Sequence, residues 1–158
     1  MKKNDLIKIE MQTTLEGTEA LAYKMANLLS EGDCLCLSGD LGAGKTTFSQ
    51  FLCRALGVDG YVTSPTFNIM NQYEGLYPIY HFDVYRIADE DEMYEIGFDD
   101  FLYGKGICLI EWASLIKNLI PENAIWMTLT FSGPETREVT IIGPEHKIGG
   151  IDNETSQH

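Results

Sequence analysis

Gly39-Asp40-Leu41-Gly42-Ala43-Gly44-Lys45-Thr46 decides how the rest of the chain is read. The stretch is G-x-x-x-x-G-K-[ST], a phosphate-binding loop, and its flanks fit that motif. The apolar run Cys34-Leu35-Cys36-Leu37 before it predicts a buried strand. Phe48, Phe51, Leu52, Ala55 and Leu56 after it predict a helix stopped by Gly57. Glycines let the loop turn tightly, so that the backbone N–H groups from Asp40 through Leu41, Gly42, Ala43 and Gly44 can meet phosphate oxygens. The helix start beyond them adds a partial positive charge. Lys45 supplies a mobile ammonium for the β- and γ-phosphates, and Thr46 supplies a hydroxyl to Mg²⁺. Thr47 adds a second hydroxyl beside it. The stretch therefore points to a bound nucleoside triphosphate.

Composition bounds the rest. The chain has 158 residues, 44% hydrophobic and 22% charged, which predicts one globular domain with one core. Its 11 Lys+Arg are scattered against 24 Asp+Glu, a net charge of −13. Such a surface repels DNA or RNA, so any nucleic acid involved is expected to be held by a partner. Met1-Lys2-Lys3 is followed by Asn4-Asp5 where a signal peptide needs an apolar run, and no stretch is long enough to cross a bilayer. Cys34, Cys36, Cys53 and Cys108 contain no C-x-x-C pair and sit mostly in apolar runs, the pattern of reduced core thiols and not of a zinc site. A cytoplasmic protein with no membrane contact is expected.

Working outward, Ile7, Ile9 and Met11 alternate with Lys8 and Glu10 as a strand. Thr13 and Glu16 have capping-box spacing, and Leu21, Met25, Leu28 and Leu29 mark a helical face running to about Gly32. Two strand-like runs at 67–73 and 77–85, joined around Glu74-Gly75, predict a hairpin. Residues 88–96 read as a short acidic helix, and Ile107 to Ile110 as a strand buried on both faces. Leu115, Ile116, Leu119 and Ile120 predict a helix stopped by Pro121. Residues 125–131 alternate as a late strand that turns back through 132–136 into 137–142. Residues 1–143 are thus expected to form one phosphate-loop domain, and 144–158 a fraying tail. The fold class expected is a three-layer α/β sandwich of P-loop NTPase type with a mixed parallel and antiparallel sheet.

A phosphate loop needs an acid opposite it for the metal, and Glu111 ends the apolar strand at the position where that acid stands. A strand-end surface carboxylate is the alternative. Trp112 beside it reads equally as a core residue or as an aromatic lid. In His81-Phe82-Asp83-Val84-Tyr85-Arg86, period two puts His81, Asp83 and Tyr85 on one face. Asp83 is the candidate for polarising the attacking water, against a buried network that merely fixes the strand. His81 reads as a structural histidine, and Arg86 as a partner for Asp83, another acid or phosphate. Ser64 and Thr66 occupy the place of a switch loop, and Arg137 near a turn is either a nucleotide contact or a surface arginine.

Four blocks taken together, the loop through Thr47, Ser64-Pro65-Thr66-Phe67, His81-Phe82-Asp83-Val84-Tyr85-Arg86 and Ile110-Glu111-Trp112, resemble the signatures of the TsaE (YjeE) family. These are small bacterial P-loop ATPases required for the threonylcarbamoyladenosine modification of tRNA. The resemblance runs from about Thr18 to Glu138. It implies ATP and Mg²⁺, with Lys45 on phosphate, Thr46 and Glu111 at the metal, Asp83 needed for hydrolysis, Trp112 near the nucleotide and residues 64–67 as a switch. It also implies work with the TsaB–TsaD pair, where TsaD carries the transferase chemistry and tRNA is met only through the complex. The absence of an N-K-x-D guanine signature agrees with ATP. A small-molecule kinase, the rival class, would need an arginine-bearing lid. Arg54, Arg86 and Arg137 lie far apart in sequence, which disfavours it.

Overall fold

The apolar run at 34–37 is the middle strand of the sheet, buried from both sides. The computed structural model describes residues 5–39, 44–65 and 68–151. Asp40, Leu41, Gly42 and Ala43, expected on phosphate, and Thr66 and Phe67 of the expected switch lie outside the described residues.

In chain order the strands are β1 (Leu6–Thr13), β2 (Cys34–Gly39), β3 (Met70–Glu74), β4 (Pro78–Asp83), β5 (Ile107–Glu111), β6 (Ile125–Phe131) and β7 (Arg137–Pro144). Among the described residues they make one seven-stranded sheet in the order β1-β7-β6-β2-β5-β4-β3. The inner four, β6-β2-β5-β4, run parallel, while β3 on one side and β7 then β1 on the other pair antiparallel. The mixed sheet and the hairpin of β3 and β4 expected from the sequence are the ones observed. The helices are α1 (Leu15–Leu28), α2 (Lys45–Ala55), α3 (Asp91–Glu95), α4 (Phe98–Leu102) and α5 (Glu145–Ile148), with a 3₁₀ segment at Ala113–Leu119.

Alternation along the inner strands feeds two cores. Leu35, Leu37, Leu109 and Met127 pack with Leu21 and Met25 of α1 and with Phe48 and Leu52 of α2. Cys34, Cys36, Cys108 and Ile110 join Phe82, Met93, Phe98, Leu102 and Ile116 in the other. The four thiols are buried and free, as expected of core cysteines.

Several local expectations shift. Thr14, not Thr13, caps α1, accepting from the Gly17 N–H at 3.2 Å. Thr13 cannot serve because its backbone belongs to the ladder, paired with Arg137. Helix α1 ends at Leu28, ahead of Gly32. The acidic helix is shorter than 88–96, and α4 follows it after a left-handed Gly97. The segment expected as a helix around Leu115 to Ile120 is 3₁₀ and kinked at Ile116.

The stretch from 144, expected to fray, is packed as far as Ile151. Ile148 and Ile151 are 0% and 1% exposed within the α1–α2 core. Lys147 ties the segment down, 2.7 Å from Asp33 Oδ2 and donating to Ser30 Oγ at 3.0 Å. Two isoleucines three apart in a polar stretch give too short a pattern to stand out in sequence.

Candidate functional site

Parallel pairing sets the ends of three strands level. In the register, Asp83 of β4 faces Glu111 of β5, and Glu111 faces Leu37 of β2. Neighbouring strands lie about 4.8 Å apart, so the two acids emerge side by side at the carboxyl edge of the sheet. Crevices at that edge are where open α/β sheets bind ligands. Phe82 and Ile110 belong to the α3–α4 core, so period two turns His81, Asp83 and Glu111 toward the side of α2. Helix α2 begins at the same edge with Lys45, Thr46 and Thr47 in its first turn.

Two glycines make this approach possible. Gly39, at the end of β2, has φ +148, and a β-carbon there would overlap the Leu129 carbonyl oxygen and stand 2.9 Å from its carbon. The end of β2 at Gly39 is therefore pressed against β6. Gly44, before α2, has φ +108 with open space around it, so its conformation and not crowding requires glycine.

A cavity of about 410 Å³ gathers Gly44, Lys45, Thr46, Thr47, Ser64, Asp83, Glu111 and Trp112. The sequence had nominated each of these separately. Arg137 lines an adjoining cavity of about 510 Å³ with Thr14, Glu16 and Thr18, and the two cavities share Gly44 and Thr47. The Arg137 guanidinium lies over the Phe131 ring at 4.4 Å and donates to the Thr136 carbonyl at 2.9 Å. Arg86 is exposed.

Glu111 is the electrostatic centre, 4% exposed. His81 Nε2 lies 2.8 Å from Glu111 Oε2, Ser64 Oγ donates to the same oxygen at 3.4 Å, and Lys45 Nζ stands 4.0 Å from Oε1. Burial alone would push this carboxyl up. The hydrogen bond and electrostatic influence of the His81 ring, then the Lys45 ammonium and the Ser64 hydroxyl, outweigh it and hold Glu111 below the ordinary carboxylate value. A buried anion therefore faces the cavity. Thr46 Oγ1 is 3.5 Å from Ser64 Oγ, which links the candidate metal hydroxyl to the acid. One carboxylate, one hydroxyl and room for phosphate oxygens is a donor set that suits Mg²⁺, which takes few protein ligands and keeps waters. It does not suit an all-protein cage, and no cluster of three or more His, Cys, Asp or Glu side chains among the described residues is placed to form one.

Asp83 Oδ1 accepts the Tyr85 N–H at 3.0 Å, which fixes the carboxylate at the cavity wall. Trp112 is 40% exposed and therefore not a core residue. Its φ of +64 makes it the one non-glycine with positive φ among the described residues, a conformation that costs about 1–3 kcal/mol. That turn brings the indole to 5.3 Å from Lys45 Nζ and 4.7 Å from the Tyr85 ring.

Sequence reasoning missed two features. The bond between His81 and Glu111 joins residues thirty apart, and its only signal was the shared face of His81 and Asp83. Of Thr14, Glu16 and Thr18, only Glu16 had been singled out, as the far end of a capping box with Thr13. Their place beside Arg137 follows from the pairing of β1 with β7, which puts Thr13 opposite Arg137.

Comparison with known proteins converges on one family. The family model described as "Threonylcarbamoyl adenosine biosynthesis protein TsaE" matches residues 12–139. A Bacillus subtilis (strain 168) protein named "tRNA threonylcarbamoyladenosine biosynthesis protein TsaE" is 40% identical over 144 residues, 90% of each chain. A Treponema pallidum (strain Nichols) protein of the same name is 38% identical over 117 residues, 74% of this chain and 87% of that one. The crystal structure of Bacillus subtilis YdiB superposes with a TM-score of 0.74 and 34% identity, covering 97% of both chains.

Proposed function

The chain belongs to the TsaE family, and we propose that it is a Mg²⁺-dependent P-loop ATPase subunit of tRNA threonylcarbamoyladenosine synthesis. It works in the cytoplasm with homologues of TsaB and TsaD, docking on them according to the nucleotide it holds and meeting tRNA only through that complex. The observation that carries the reading is the convergence of Lys45, Thr46 and an ionised, buried Glu111 on one cavity.

In this reading Thr46 and Glu111 hold the metal, and Lys45 leaves Glu111 for the phosphates. The metal supplies neutralisation of charge developing on the transferred phosphoryl group. Backbone groups of residues 40–44 and the Thr47 hydroxyl cradle the phosphates. Asp83, held in place by the Tyr85 N–H, orients the attacking water. The cavity beside Arg137 takes the nucleoside end, since it joins the phosphate cavity through Gly44 and Thr47. Trp112 and Tyr85 cover the outer end of the site.

Among the described residues, the wall of the cavity that holds Lys45 and Glu111 contains no arginine. Isolated turnover should then be slow, since an arginine finger is worth about 10³–10⁵ in rate where one is used. The test is steady-state ATP hydrolysis by the chain alone and with purified TsaB–TsaD, with Lys45→Ala as the control. The expected result is slow turnover alone, stimulation by the pair and loss of both in Lys45→Ala. Fast turnover that ignores the pair, or a Lys45→Ala variant as active as the parent, would overturn the reading.

A further inference from the structure

We propose that His81 determines which divalent cation the site accepts, by leaving Glu111 a single oxygen to offer. This rests on the metal–nucleotide reading of the cavity given above.

The His81 ring is 1% exposed, and its Nε2 lies 2.8 Å from Glu111 Oε2. An ionised carboxylate can only accept, so Nε2 is the donor. Ser64 Oγ donates to the same oxygen at 3.4 Å. Both lone pairs of Oε2 are thereby engaged inside the protein. Oε1 remains, and it is the oxygen nearest Lys45.

Among the described residues, His81 Nδ1 is buried without a hydrogen-bond partner, which costs stability. An apolar side chain of similar size would fill the strand face without that cost, so packing alone does not account for an imidazole. Its one polar contact among the described residues is the metal carboxylate, which makes it a positioning residue acting through Glu111.

The consequence is chemical. Mg²⁺ is small, holds near-octahedral geometry and takes one oxygen from a carboxylate. Ca²⁺ is larger, accepts six to eight oxygens and gains from a carboxylate that offers two. A Glu111 with Oε2 sequestered suits the smaller ion, and one freed to offer both oxygens would suit Ca²⁺.

The experiment is calorimetric titration of the folded chain with ADP in MgCl₂, in CaCl₂ and in EDTA, with thermal melts to verify folding. It compares the parent with His81→Leu, His81→Gln and His81→Asn. The glutamine amide nitrogen reaches about where Nε2 stands, while asparagine is one bond too short. In His81→Leu and His81→Asn, ADP affinity supported by Mg²⁺ should fall about 10–100-fold, and that supported by Ca²⁺ by less than about threefold. His81→Gln should keep the parent's preference. If His81→Leu does not fold, the glutamine–asparagine pair decides. The proposal is overturned if all folded variants keep the parent's Mg²⁺-to-Ca²⁺ ratio, or if His81→Gln loses it as fully as His81→Asn. A parent chain that binds ADP equally in EDTA and in MgCl₂ refutes the metal-site reading itself. A parent that needs Mg²⁺ while the variants behave alike refutes only the role of His81.

Discussion

Replacing Glu111 by glutamine separates the two jobs the carboxylate does. Its charge holds Lys45 at 4.0 Å, with the two side chains 14% and 5% exposed. At that distance a unit pair is worth about 4 kcal/mol at an effective dielectric of ~20 and about 1 kcal/mol in water. The pair sits between these limits. Lys45 must give up that attraction to reach a phosphate, and the carboxylate also repels phosphate when no metal stands between them. Glu111→Gln removes both obstacles while keeping an oxygen to accept from His81. ADP binding in EDTA should therefore tighten by at least about fivefold, with about 10³-fold as the ceiling set by the same Coulomb bracket. Binding in MgCl₂ should gain nothing over EDTA, because the metal has lost its acid. Calorimetry of parent and variant in both buffers measures the two quantities directly. A variant that binds metal-free ADP no tighter than the parent, and still responds to Mg²⁺ as the parent does, would refute the placement of Glu111 between Lys45 and the metal.

Asp83→Asn preserves the oxygen that accepts the Tyr85 N–H. ADP affinity in MgCl₂ should stay within about threefold while single-turnover hydrolysis falls about 10²-fold or more; normal hydrolysis would return Asp83 to a structural role. Gly39→Ala forces a β-carbon into the Leu129 backbone at φ +148 and should cost about 2–6 kcal/mol. The melting temperature should then drop by about 5–20 °C, and an unchanged melt would show that Gly39 is not pressed against the Leu129 backbone. The buried thiols make stability depend on alkaline pH. Burial pushes Cys53 up to about 12 from the ordinary 9.0, burial and then Cys34 raise Cys108, and the Cys36 contact and then burial raise Cys34. The folded chain keeps protons that the unfolded chain releases, so this stabilisation is complete below about pH 9 and is lost as pH rises toward the folded values. Denaturant titrations between pH 8 and 11 should show stability falling by up to about 1.4 kcal/mol per pH unit for each thiol. A flat profile would mean the thiols are not shielded.

What could be read from sequence divides along a physical line. The inner strands β2, β5 and β6 announced themselves because burial on both faces, or strict alternation, leaves a pattern within a single stretch. The G-x-x-x-x-G-K-[ST] motif and the place of Glu111 at a strand end were legible for the same reason, since each is defined by residues adjacent in the chain. Helix α4 was not, because Phe98, Phe101 and Leu102 give one turn of pattern inside an acidic stretch, too little to distinguish from a loop. The 3₁₀ segment at Ala113–Leu119 carries apolar residues at helical spacing but begins from the left-handed Trp112, which no propensity foretells. Relations between strands were the least visible. That His81 bonds Glu111, and that Thr14 lies beside Arg137, depends on which strands pair and in what register. Period two could say that His81 and Asp83 share a face, but not that β5 would be the neighbour they share it with.

In the proposed function, Thr46 and Glu111 hold a metal against the phosphates of a nucleotide bound at the start of α2. The most direct measurement is a crystal structure of the chain with Mn²⁺ and a non-hydrolysable ATP analogue, the metal located by its anomalous signal. The expected result is a single Mn²⁺ peak within coordination distance of Thr46 Oγ1, Glu111 Oε1 and the terminal phosphates, with Lys45 moved off Glu111. A peak elsewhere, or phosphates lying away from Lys45 and both acids, would contradict it.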